Sequence, residues 1–162
     1  MKLDNSKRAI KIRLVYMLIP LLILTAGALV YLYFDIKDLR YMVLAFVLLL
    51  LFFLVMAILK FYYIIYYAGP DKIVVRFKSL SPLMSPSNSI QINSVDFANY
   101  KIKITLFGIK KMLYLYQQTL SGLAKYPAVG LSALTIKEVN EIKKSLDLIL
   151  AINKKANGIN TK

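Results

Sequence analysis

Two stretches of this chain are apolar without a break. Residues 14–34 hold no charged side chain over 21 positions, and residues 41–59 hold none over 19. As helices rising ~1.5 Å per residue, both are long enough to cross a hydrocarbon layer of ~30 Å. Only Asp35, Ile36, Lys37, Asp38, Leu39 and Arg40 join them, a link so short that the helices are expected to lie antiparallel as neighbours. Tyr16 near the start of the first stretch, Tyr31, Tyr33, Phe34 and Tyr41 around the link, and Phe61, Tyr62, Tyr63, Tyr66 and Tyr67 after the second stretch are the amphipathic rings that favour headgroup depth. The spans are placed at about 14–34 and 41–63, within a hairpin of residues 14–68.

After Gly69-Pro70-Asp71 the period changes. Ile73, Val75 and Phe77 alternate with Lys72, Arg76 and Lys78, which predicts a half-buried strand. Ile90, Ile92 and Val95 suggest a second strand over 89–95. Residues 100–106 alternate throughout, Gly108 offers a turn, and 111–118 return as the other arm of a hairpin. Apolar residues on both faces of 112–116 suggest that this arm is covered on both sides or closes a barrel. A short last strand is expected within 128–132. Thr135 and Glu138 fit a capping box, with Leu134 and Val139 as its staple. Val139, Ile142, Leu146 and Ile149 then recur at helical spacing, so an amphipathic helix ends the folded part. Residues 153–162 read as a basic tail.

Composition sharpens this picture. The chain has 162 residues, 59% of them hydrophobic, and a mean hydropathy of +0.60, too apolar for an ordinary soluble domain. The 22 Lys and Arg outweigh 8 Asp and Glu, giving a net charge of +14. Lys2, Lys7, Arg8, Lys11 and Arg13 crowd the first 13 residues, whereas the link carries two charges of each sign. The positive-inside rule therefore puts both termini in the cytoplasm, with residues 1–13 as a basic cytoplasmic N-terminus. A cleavable signal peptide ending near Ala26-Gly27-Ala28 is the competing reading. The membrane-like Leu29 to Phe34 that follows favours a retained span, and the small residues, with Ala45 and Ala57, would let the helices approach closely.

The strands and closing helix, carried by Ile90-Gln-Ile92 to Val95, the 100–118 hairpin and Val129-Gly-Leu-Ser-Ala-Leu-Thr-Ile-Lys-Glu138, resemble a pleckstrin-homology-like (PH-like) domain placed after a transmembrane hairpin in bacterial membrane proteins. The resemblance covers roughly residues 66–152. It implies a fold class of membrane α-helical hairpin plus α+β, the cytoplasmic domain over 69–152 being an antiparallel β-barrel closed by a C-terminal amphipathic helix. That barrel has seven strands and the pattern supplies five or six, so either 61–67 contributes one or 117–126 hides one. Lipid-binding members of the wider superfamily use basic residues on the first hairpin. Lys72, Arg76 and Lys78, with Lys101, Lys103, Lys110 and Lys111, are the corresponding candidates here, although their spacing departs from the phosphoinositide pattern. Diffuse attraction to anionic lipid, at ~1 kcal/mol for each well-placed cation, requires no pocket.

Catalysis has little to work with. Cys and His are absent, which removes thiolate and imidazole chemistry. Glu138 is explained as a cap, Asp71 by its turn, Glu141 and Asp147 by a solvated helix face, and Asp96 alone makes neither a metal site nor an acid/base pair. No cofactor or metal is implied. Tyr114 and Tyr116 beside Lys110 and Lys111 could stack bases, yet a basic patch without a reading motif is weak grounds for nucleic acid. The expectation is a membrane-anchored, non-enzymatic interaction or scaffold module that binds a protein partner and lies on anionic lipid. A second copy of the chain is a further candidate partner. The alternatives are an accessory subunit of a membrane enzyme or transporter complex, and a small holin-like pore former, against which the patterned domain speaks.

Overall fold

The computed structural model describes residues 1–33, 39–81 and 87–156. Strand β1 (Lys2–Asp4) leads into helix α1 (Ser6–Tyr33), and α2 (Leu39–Leu59) follows. Strands β2 (Tyr62–Ala68), β3 (Lys72–Ser79), β4 (Ser87–Asn93), β5 (Phe97–Thr105), β6 (Lys110–Thr119), β7 (Gly122–Lys125) and β8 (Val129–Gly130) come next, and α3 (Ile136–Ala156) closes the described chain. The result is α+β. Most of the link between α1 and α2, and residues 157–162 of the expected tail, lie outside the described residues.

Both α1 and α2 are long and apolar enough to cross a membrane. Only 6% and 0% of their most apolar windows are buried within the molecule, the opposite of what the core helix of a soluble domain would show. They pack on each other through Tyr16, whose hydroxyl reaches the Met56 carbonyl at 3.4 Å and whose ring meets Phe52 edge-on. Gly27 lies against Ala45, where an added Cβ would sit at 3.4 Å.

Several boundaries differ from the sequence reading: α3 continues to Ala156, four residues into the expected tail, and two further changes lie at the apolar helices. The second helix stops at Leu59 rather than near residue 63, because Lys60 adopts φ 49°, a left-handed turn that ends a helix. Tyr62 and Tyr63 then start a strand, so their alternating side chains belong to a sheet and not to a helix end. The basic N-terminus is also structured: β1 pairs with β2, and α1 begins at Ser6, about two turns before the uncharged run.

The strands form two antiparallel sheets, ordered β1-β2-β3-β4 and β5-β6-β7 with β8 added to β6. Both regions suspected of hiding a strand contain one, β2 and β7. Among the described residues the expected closed barrel is not found. At the corner between β4 and β5 the carbonyls of Ser94 and Phe97 accept hydrogen bonds from the Asn153 amide of α3, at 2.6 and 3.0 Å, so a helix side chain takes the place of a ladder there. The core lies between the sheets and under α3. Ile64 and Tyr66 of β2, Ile73 and Val75 of β3, Leu113 and Leu115 of β6, and Ile142 and Leu146 of α3 are fully buried in it. Tyr66 donates to or accepts from Ser145 of α3 at 2.7 Å, and burial pushes its pKa up to about 12.

Gly130 of β8 touches the chain where α2 hands over to β2. A Cβ there would come within 2.5 Å of the Lys60 carbonyl oxygen and 2.6 Å of the Tyr62 ring. Gly130→Ala must push backbone aside, and overpacking of this kind costs about 1–3 kcal/mol. Thermal unfolding of the purified chain is expected to show a midpoint roughly 3–10 °C lower.

Candidate lipid-facing site

The cations singled out in the sequence fall into three places. Lys72, Arg76 and Lys78 are exposed on the outer face of β3, opposite Asn93, Ser89 and Ser87 of β4. Lys101 and Lys103 of β5 and Lys110 of β6 line the outer face of the second sheet beside Met112 and Tyr114. Since the core separates the sheets, these two groups look away from each other and do not form one patch. Lys125 joins the second group, its ammonium 4.7 Å from the centre of the Tyr114 ring.

Lys111 is the exception. It sits on the inner face of β6 and is only 9% exposed. Its ammonium donates to the Leu134 carbonyl at 3.0 Å, and its amide donates to the Ser132 hydroxyl at 3.3 Å. The paired register explains this placement: Lys111, opposite Ile104, shares its sheet face with the buried Leu113 and Leu115, where simple alternation would have put an apolar residue. Lys111 is therefore an internal strut joining β6 to the approach of α3, and is unavailable to a surface ligand.

The residues that organise the site lie where the helices meet the sheets, and most were missed in the sequence. Asn5 is buried. Its side-chain oxygen accepts from the Ile64 amide at 2.8 Å and its amide donates to the Tyr62 carbonyl at 3.1 Å, so the side chain extends the β1–β2 ladder while its own carbonyl accepts from Arg8 and Ala9 in the first turn of α1. Ser132 donates to the carbonyl of Leu59 at 2.8 Å, satisfying one of the free acceptors at the end of α2. Arg8 donates to the Ala133 carbonyl at 3.1 Å and pairs with Glu138 at 2.5 Å. The capping box is present: the Glu138 amide donates to the Thr135 hydroxyl at 3.3 Å, and the Glu138 carboxylate accepts from the Thr135 amide at 2.7 Å. The signal for Asn5 was slight, one short alternation in Lys2-Leu3-Asp4 followed by a cap-forming Asn-Ser pair.

Beside this junction opens a cleft of about 530 Å3 between α1 and the ends of β2 and β3. Ser6, Ala9, Ile10, Arg13 and Met17, at helical spacing, form one wall, and Tyr63, Lys78, Ser79, Leu80 and Ser81 the other. Burial raises the pKa of the Tyr63 phenol, and the nearby Asp4 carboxylate raises it further, so the hydroxyl stays a neutral hydrogen-bond donor. Two cations, several hydroxyls and apolar stems offer what an ester phosphate on an oily chain requires. Among the described residues no cluster of acidic side chains could hold a metal ion.

Comparison with known protein families, with curated proteins and with solved structures finds no match.

Burial pushes the Glu138 carboxyl up, but hydrogen bonds from Arg8 and Thr135, with the Arg8 charge, outweigh it and hold the pKa below its ordinary value. The stability so gained is complete above the unfolded-state pKa and is lost as pH falls through the folded one. Thermal midpoints measured from neutrality into acid are expected to fall across that window, and more gently in Glu138→Gln and Arg8→Gln.

Proposed function

We propose that this chain is a membrane-anchored, non-enzymatic interaction module, with α1 and α2 as a two-span hairpin and both termini on the cytoplasmic side of a bacterial inner membrane. The order of strands and the closing helix support a PH-like domain, opened between β4 and β5. Its role is to hold a basic surface, and a partner bound to it, against anionic lipid. One observation supports the reading: the two helix ends are hydrogen-bonded into the sheet domain through Asn5 and Ser132, so the Arg13–Lys78 cleft is held beside the apolar helix surface, where a two-span anchor would bring it to the phospholipid phosphates. A partner protein has an edge available in β4, outermost in its sheet, where a peptide could add as a strand.

The orientation is testable because the chain has no cysteine. A cysteine at Asp38 is expected to react with an impermeant maleimide in intact cells, and one at Lys101 only after the membrane is opened. The reverse pattern overturns the topology.

Each cation placed near an anionic surface contributes about 1 kcal/mol. Arg13→Gln with Lys78→Gln should therefore weaken retention of phosphatidylglycerol on the purified chain by roughly thirtyfold. Lys72→Gln with Lys101→Gln, both outside the cleft, serves as the control, measured by mass spectrometry of bound lipid. An equal fall in both variants would mean diffuse attraction without a seat in the cleft, and no fall in either would remove lipid from the proposal.

A further inference from the structure

The β5–β6 hairpin ends in a turn that no folding requirement explains. Its four residues are Leu106, Phe107, Gly108 and Ile109, closed by the Ile109 amide donating to the Leu106 carbonyl at 3.1 Å. Phe107 is completely exposed at 106%, and Leu106, Ile109 and the preceding Ile104 are exposed at 45%, 55% and 57%. Leu106 and Phe107 both have φ 53°, and Gly108 has φ 89°. Left-handed backbone at the centre of a tight hairpin turn favours Gly, Asn or Asp, and disfavours branched or aromatic side chains. Here the backbone holds two large apolar side chains out into the surroundings in that disfavoured region.

The position of the turn names its occupant. β6 begins beside the end of α2: the Lys111 amide donates to Ser132 and Ser132 donates to the Leu59 carbonyl. Phe107 lies four residues beyond Lys111, a reach of at most ~13 Å in extended chain. The turn thus projects from the end of the sheet domain where both apolar helices attach. The opposite end of β6 carries Leu120, equally bare at 112%, some ten residues or ~30 Å of strand away. Lys103 and Lys110 flank the apolar tip on the outer face, in the arrangement of an interfacial anchor: apolar side chains entering the acyl region and cations at the phosphates.

We infer that the Leu106–Ile109 turn is a third membrane contact, a wedge that enters the same leaflet from which α2 emerges and sets the tilt of the sheet domain on the lipid surface. This inference rests on the membrane-anchored reading of α1 and α2.

The chain contains no tryptophan, so a single introduced indole reports its own surroundings. Phe107→Trp and, separately, Leu120→Trp are placed in the full chain and reconstituted into vesicles of phosphatidylcholine and phosphatidylglycerol, with or without bromine on the acyl chains. Trp at 107 is expected to emit at shorter wavelength than in the unfolded chain and to lose half or more of its intensity in brominated vesicles. Trp at 120 should keep a water-like spectrum and its intensity. Phe107→Gly, which relieves the backbone, should leave the unfolding midpoint unchanged or higher, while a label at Lys110 becomes more accessible to a soluble quencher.

An unquenched, water-like Trp at 107 overturns the wedge. So does a blue-shifted but unquenched one, since protein would then cover the tip, and so does equal quenching at both positions. Incorporation is read separately by flotation of the vesicles: a chain that fails to float overturns the anchor as well, whereas one that floats with an unquenched tip overturns the wedge alone.

Discussion

The structure depends on the way Asn5 ends a strand and begins a helix in a single residue. Its side chain continues the pairing of β1 with β2, and its carbonyl takes the first amides of α1. Both sets of bonds are made in a buried position, where an unpartnered amide costs about 1–3 kcal/mol. The start of α1 is thereby fixed relative to β2. Because β2 lies between β1 and β3 and buries Ile64 and Tyr66, the helices and the sheets share one core strand. A fragment starting at Gly69, the boundary suggested by the break in sequence pattern, would lack that strand and leave one edge of β3 unpaired.

A second set of contacts fixes the other helix. Lys60 ends α2 in a left-handed turn, Gly130 leaves room for its carbonyl, and Ser132 bonds the carbonyl of Leu59. Arg8 then ties the first turn of α1 to Glu138 at the start of α3. An exposed ion pair contributes little by itself, but this one shares its carboxylate with a helix cap, so its loss also releases the Thr135 amide. Three elements distant in sequence meet within one turn of each other.

Much of this was legible from periodicity. The two apolar helices, the alternation of β3 and the inward stripe of α3 follow from side-chain spacing, and the capping box at Thr135 and Glu138 was explicit. What escaped was whatever depended on contacts across the chain. Tyr62, Tyr63 and Tyr66 read as an aromatic belt because an amphipathic ring at a helix end and one on a strand look the same in sequence; the left-handed turn at Lys60 decides between them. Lys111 read as a surface cation because it follows Lys110 and because the apolar residues on both faces of 112–116 gave no register. Only the pairing with Ile104 shows which face it takes. The barrel was expected from resemblance, and the corner at Asn153 could not be foreseen, since a polar residue near a chain end has no pattern of its own.

Under the proposed membrane reading, the distribution of charge narrows how the domain would lie on a lipid surface. A net charge of +14 invites the picture of one cationic face, yet the two lysine groups sit on sheets that look apart, and Lys111 is spent inside. No single sheet face can press all of these residues against a leaflet. The end of the sheets where α1 and α2 attach is different: Arg13 and Lys78 at the cleft, Lys110 at the hairpin and the bare Leu106 and Phe107 are all there. Under the proposed reading, standing on that end would let cations from both sheets reach phosphates together and would take the fully exposed Phe107 ring out of water. It leaves β4 and the outer strand faces free for a partner. In the proposed arrangement the hydrogen bonds that join helix to sheet would also favour this orientation, because rotating the domain onto either lysine face would strain the bonds of Asn5 to β2 and of Ser132 to Leu59.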